Sequence, residues 1–122
     1  MDNFEELRDG YIKEHNYNFV SYENNECIIE APITETSLNP YKIAHGGFTF
    51  GLMDTCSGLH IMLETKKQAL TTSSNINYLK PGTGTKIIAK STPIKIGKKI
   101  SIMRVEAYND KDELIATGIF NY

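Results

Sequence analysis

Asp54 is the single carboxylate in residues 39–58, NPYKIAHGGFTFGLMDTCSG, and most of its neighbours are of kinds that a folded chain buries. A lone carboxylate on a packed helix face is costly unless it is paired or has a chemical task. Eight positions earlier (54 − 46), Gly46 and then Gly47 open the same stretch. Lacking side chains, they leave backbone N–H groups approachable at the positive end of a helix, which suits an anion or a developing oxyanion. A carboxylate able to move a proton or attack, with an N–H able to hold negative charge, makes a reaction centre. Two further polar residues stand close by: Asn39, before Pro40, and His45, directly before the glycines.

The elements that must hold these residues can be read from periodicity. The stretch 46–63 is expected to be one helix. Phe48, Leu52, Thr55, Leu59 and Met62 form a stripe, and Phe50 and Met53 widen the apolar surface beyond it, so burial on several sides follows. Before it, residues 2–15 predict a short helix with Phe4, Leu7 and Tyr11 on one face, and 18–22 and 26–33 predict strands around Glu23-Asn24-Asn25. After it come four strands, roughly 69–79, 85–96, 99–109 and 113–121, divided by Lys80-Pro81-Gly82, Gly97-Lys98 and Asn109-Asp110-Lys111-Asp112. Met103, Val105 and Ala107 alternate with Arg104, Glu106 and Tyr108, as on a half-buried antiparallel strand. Leu114, Ala116, Gly118 and Phe120 share one face. The pattern is α+β in a single domain over 1–122, a helix against an antiparallel sheet.

The order Asn39, His45-Gly46-Gly47, Asp54, with Asn six residues before the His and Asp nine after it, resembles the PaaI-like branch of the hotdog-fold acyl-CoA thioesterases. Asn75-Ile-Asn-Tyr-Leu-Lys-Pro81 and Glu113-Leu-Ile-Ala-Thr-Gly118 extend the resemblance over most of the chain. It implies a hotdog fold, an antiparallel sheet wrapped around a long central helix. It also implies hydrolysis of a CoA thioester to a carboxylic acid and free CoA. In that reading Asp54 is general base or nucleophile, and the Gly46 N–H polarises the thioester carbonyl. Asn39 holds the carbonyl or the attacking water, His45 braces that loop or the thioester in a supporting role, and Gly47 serves close packing. A hydroxyl from Thr71 or Thr72, with the count back from Asn75 favouring Thr71, stands near the carboxylate. Phe48, Phe50 and Met53 would line the acyl pocket, and Lys95, Lys98 and Lys99 would meet the CoA nucleotide. Gly46 and Asp54 lie about 12 Å apart along one helix, so one thioester cannot touch both in the same chain. If both act together, they come from two subunits whose central helices run antiparallel across a two-fold axis. The family resemblance implies such a homodimer, commonly paired into a homotetramer. Two other readings remain open at this point: a non-catalytic acyl-CoA-binding module or sensor, against which the presence of Asp54 argues, and a hydratase or dehydratase, whose His and acid loop motif is not found.

Charge and composition narrow the partners. Net charge is −2, but residues 1–35 hold nine acids and two bases, while residues 80–104 hold seven bases and no acid. That basic block fits either a phosphate-bearing ligand or a solvated set of strand edges. It lacks the aromatic-studded groove of a nucleic-acid binder. Cys27 and Cys56 have neither disulfide-framework nor metal spacing, so buried free thiols are expected. No metal and no cofactor are expected, CoA being part of the substrate. No apolar run is long enough to span a membrane, and the acidic N-terminus does not resemble a signal peptide; a cytoplasmic location is expected.

Overall fold

The computed structural model describes Phe4 and residues 8–122. Helix α1 (Gly10–Glu14) leads into β1 (Asn18–Glu23) and β2 (Glu26–Pro32). A 3-10 turn (Glu35–Ser37) follows, then the long helix α2 (Gly46–Thr65). Strands β3 (Ser73–Tyr78), β4 (Lys86–Ile96), β5 (Ser101–Asn109) and β6 (Leu114–Asn121) complete the chain. All six strands form one antiparallel sheet in the order β1-β2-β4-β5-β6-β3. This is the α+β arrangement expected from the sequence.

The sheet curls around α2. Alternation along β2, β4 and β5 turns Ile29, Ala31, Ile87, Ala89, Val105 and Ala107 inward, where they pack with Phe48, Leu52, Met53, Cys56 and Leu59 of the helix. Both cysteines are buried and free. The β1–β2 connection is a two-residue turn with Asn24 and Asn25 both at positive φ, which matches the twist of a hairpin. Gly118 lets β6 approach β3 closely: a Cβ there would stand 2.8 Å from the Asn75 carbonyl oxygen.

Four expectations need correction. The strand predicted over 69–79 begins only at Ser73, because residues 69–72 cross beside the helix instead of pairing along their whole length; Thr72 N–H alone reaches the Asn121 carbonyl, at 2.7 Å. The buried stripe of α2 runs through Phe48, Leu52, Cys56 and Leu59 with Met53 and His60, whereas Thr55 and Met62 are half-buried. At the start of β6, an irregular register between Ala107 and Tyr108 gives the inward place to Ile115, and Leu114 is left half-buried. In the N-terminal segment Phe4 is buried, but Tyr11 is 48% exposed, lying across His15 and Tyr17; Leu7 lies outside the described residues.

Candidate active site

The helix start is built from a constrained loop. Ser37 is buried and accepts the Thr34 N–H at 2.8 Å, and its own carbonyl takes the His45 N–H at 2.7 Å. Asn39 closes the next turn: its Oδ1 accepts the N–H groups of Tyr41 (2.9 Å) and Ile43 (3.3 Å). With the amide oxygen so engaged, the NH₂ of Asn39 is the group left to donate. Ala44 N–H ties the loop to the Gly82 carbonyl at 2.9 Å.

His45 is the N-cap of α2. Its Nδ1 accepts the Gly47 N–H at 2.8 Å, and its carbonyl accepts from Phe48 and Thr49. In the neutral ring an accepting Nδ1 places the proton on Nε2, so the imidazole offers an N–H outward. Of the first four N–H groups of the helix, that of Gly46 alone has no acceptor among the described residues. The Tyr78 hydroxyl donates to the Gly46 carbonyl at 2.6 Å and seats its ring against that residue. Asn39, Gly46, Thr49 and Tyr78 thus share the wall of an open cavity of about 390 Å³.

Asp54 lies two turns on, half-buried, in a different cavity. Its Oδ1 accepts from the Thr71 hydroxyl and lies 3.2 Å from the phenol oxygen of Tyr122. The Thr72 hydroxyl turns away to the Asn121 carbonyl, at 3.1 Å. Around Asp54 the cavity, about 630 Å³, is mostly apolar, with Phe4, Ile12, Leu59, Met62 and Leu70 in its wall. A third cavity of about 570 Å³ adjoins it across Gln68, Ala69, Leu70 and Tyr122. Lys67, Lys98 and Lys99 line this one, and none of the three is in an ion pair among the described residues.

The structure therefore divides the expected site residues. Asn39 and Gly46 meet in one cavity, with the His45 cap beside them, and Asp54 and Thr71 meet in another; Lys98 and Lys99 share the third, which does not include Lys95, exposed on β4. Gly47 gives its N–H to the His45 ring. Two expected pocket residues are corrected. Met53 is fully buried and Phe48 is 3% exposed, both inside the chain's own core, because the wide apolar surface of α2 is taken up by the sheet. Phe50 is partly buried against Phe120. Read from the sequence, Tyr78, Tyr122, Ser57 and Lys67 have no part in the site. Tyr78 stands inside the quoted Asn75–Pro81 motif, but Tyr122 is 68 positions from Asp54 and no local pattern connects them. His60 is a structural histidine, buried with Nδ1 3.0 Å from the Ser91 carbonyl.

The family model described as Thioesterase superfamily matches residues 41–116, from the loop before α2 to the start of β6. The chain belongs to this family. The medium/long-chain acyl-CoA thioesterase YigI of Escherichia coli K12 is 27% identical over 96 residues, 66% of this chain and 62% of its own. The chain thus spans less than two thirds of the length of this curated relative. Among solved structures, the PaaI protein of the E. coli phenylacetic acid degradation operon superposes with a TM-score of 0.86 at 20% identity, covering 98% of this chain and 86% of its own. This likeness shows the hotdog thioesterase fold. A Streptococcus mutans protein bound to acetyl CoA is 32% identical with a TM-score of 0.79, covering 87% of this chain and 86% of the other. No helix among the described residues is long and apolar enough to cross a membrane.

Proposed function

We propose that this member of the thioesterase superfamily cleaves acyl-CoA with water, giving a carboxylic acid and free CoA, at a site shared by two copies of the chain. The observation that carries the reading is the separation of Gly46 from Asp54. The free N–H and the tethered carboxylate stand about 12 Å apart on one helix and open into different cavities. A second α2 running antiparallel brings the Asp54 of one copy opposite the Gly46 of the other. The thioester carbonyl then accepts the Gly46 N–H, with the Asn39 NH₂ holding the carbonyl or the attacking water.

Asp54 takes one of two roles. As general base it draws a proton from water while the water oxygen bonds the carbonyl carbon; the C–S bond breaks and the sulfur receives that proton. As nucleophile it bonds the same carbon and expels the CoA thiolate; water then opens the acyl anhydride, releasing the carboxylic acid and the Asp54 carboxylate, and the second proton of that water passes to the thiolate. Both routes give the same products. The adjoining cavities fit the substrate's chemistry: Lys67, Lys98 and Lys99 for the nucleotide phosphates, and the apolar wall beside Asp54 for an acyl chain. YigI, as an enzyme of medium and long acyl-CoAs, is in keeping with such a wall.

The test is release of free CoA from aryl, short, medium and long acyl-CoAs by the wild type and by Asp54→Ala. Release that favours an apolar chain and collapses in the variant is expected. Undiminished release by Asp54→Ala removes the carboxylate from the mechanism. Tight binding without release by the wild type replaces hydrolysis with the sensor reading.

A further inference from the structure

Tyr122 follows β6 and is held by a reciprocal backbone pair with Ser101, N–H to carbonyl at 2.9 Å and 3.2 Å. Ser101 comes directly after Lys98, Lys99 and Ile100. From this anchor the Tyr122 ring reaches over Gly58, where a Cβ would stand 3.7 Å from it, and places its phenol oxygen among three groups of α2. These are the Asp54 carbonyl at 2.9 Å, the Asp54 Oδ1 at 3.2 Å and the Ser57 Oγ at 2.5 Å. The Ser57 hydroxyl also faces the carbonyls of Met53 and Asp54, each at 3.2 Å, so either oxygen of the Ser57–Tyr122 pair can donate; with Ser57 as donor, the phenol's own proton is shared between the Asp54 carbonyl and Oδ1. Burial pushes the Tyr122 phenol well above its ordinary range, so that proton is retained at any working pH.

The consequence lies in how the two carboxylate oxygens differ. Thr71 and Tyr122 both address Oδ1, while no donor among the described residues reaches Oδ2. The geometry points to Tyr122 as a positioning residue that, with Thr71, clamps Oδ1 of Asp54 so that Oδ2 faces the thioester or the attacking water. A carboxylate held on one oxygen cannot rotate both away from the reacting carbon, and the loss of one such donor misplaces the other oxygen. This inference rests on the thioesterase reading, and it gives Tyr122 a second connection. The same residue borders the cavity of Lys98 and Lys99, so the segment that would meet the nucleotide is joined by backbone to the residue that aims the carboxylate.

The experiment compares wild type, Tyr122→Phe, Ser57→Ala, Asp54→Asn and the double variant Tyr122→Phe/Asp54→Asn in steady-state release of CoA, with thermal midpoints recorded alongside. Phe keeps the ring over Gly58 and removes only the hydroxyl. The expected result is a kcat lower by about 10-fold or more in Tyr122→Phe, as befits loss of a hydrogen bond to a charged group, with KM changed less than about 2-fold. Ser57→Ala should lower kcat in the same direction by a smaller factor, and Tyr122→Phe should cost nothing further once Asp54 is Asn. Wild-type kcat in both Tyr122→Phe and Ser57→Ala overturns the inference while leaving the thioesterase reading intact. So does an equal fractional loss from Tyr122→Phe with and without the Asp54 carboxylate. A wild type that releases no CoA from any substrate overturns both together.

Discussion

The two ends of the reactive stretch are prepared by different residues, and each preparation is a local hydrogen-bond account. At the helix start, His45 and its carbonyl satisfy three of the first four N–H groups and leave Gly46 free. At Asp54, Thr71 and Tyr122 share one oxygen. Thr71 and Thr72 provide a contrast between neighbours of identical chemistry, since one hydroxyl serves the carboxylate and the other the Asn121 backbone. Thr71→Val is expected to lower kcat by about 10-fold or more, whereas Thr72→Val should keep kcat within about 2-fold of wild type. Steady-state kinetics of the two variants measure this, and the reverse order would place the wrong hydroxyl in the site.

At the scale of elements, α2 is held against the sheet by packing and by a few polar ties, among them His60 to the Ser91 carbonyl of β4 at 3.0 Å. Burial lowers the His60 value below the ordinary 6.5, so the folded protein prefers the neutral ring. The unfolded chain therefore binds the proton more readily. This contribution is fully present above about pH 6.5 and is lost as pH falls through the lowered folded value. Melting midpoints at pH 7.5 and pH 5.0 should show a larger fall for the wild type than for His60→Gln; an equal fall in both would remove His60 as a cause. Much of the architecture was legible because strand alternation and turn residues are local. Met103, Val105 and Ala107 point inward as their spacing says, and the Asn24-Asn25 turn sits where its composition places it. The misreadings have a common physical origin. Thr71 to Ser74 look like strand throughout, but the neighbouring β6 ends before it can pair with the whole run. Phe48 and Met53 are apolar on a helix that is apolar on several sides, and the sequence does not say which side the sheet will cover. Tyr122 and Lys67 reach their cavities only through tertiary folding.

At the scale of the whole molecule, one chain holds each half of the proposed site but does not join them. The sheet leaves β1 and β3 as its edges. Strand β3 is exposed along nearly its whole length, with its outer backbone groups unpaired among the described residues, and it carries Tyr78 beside Gly46. In the proposed dimer a second copy would cover this edge and set two α2 helices side by side. The central claim is that each active site takes Gly46 from one copy and Asp54 from the other. Complementation tests it most directly. Gly46→Pro deletes the free N–H at a helix position that tolerates proline, and the His45 backbone at φ −61°, ψ 138° already has the extended form that precedes one. Gly46→Pro and Asp54→Asn should each be nearly inactive alone. Unfolded together and refolded as a mixture, they form mixed dimers with one site of two intact, so about a quarter of wild-type kcat should return. Recovery of that size supports a shared site. Mixed dimers without recovered activity, or a protein that is active as a monomer in light scattering, would contradict it.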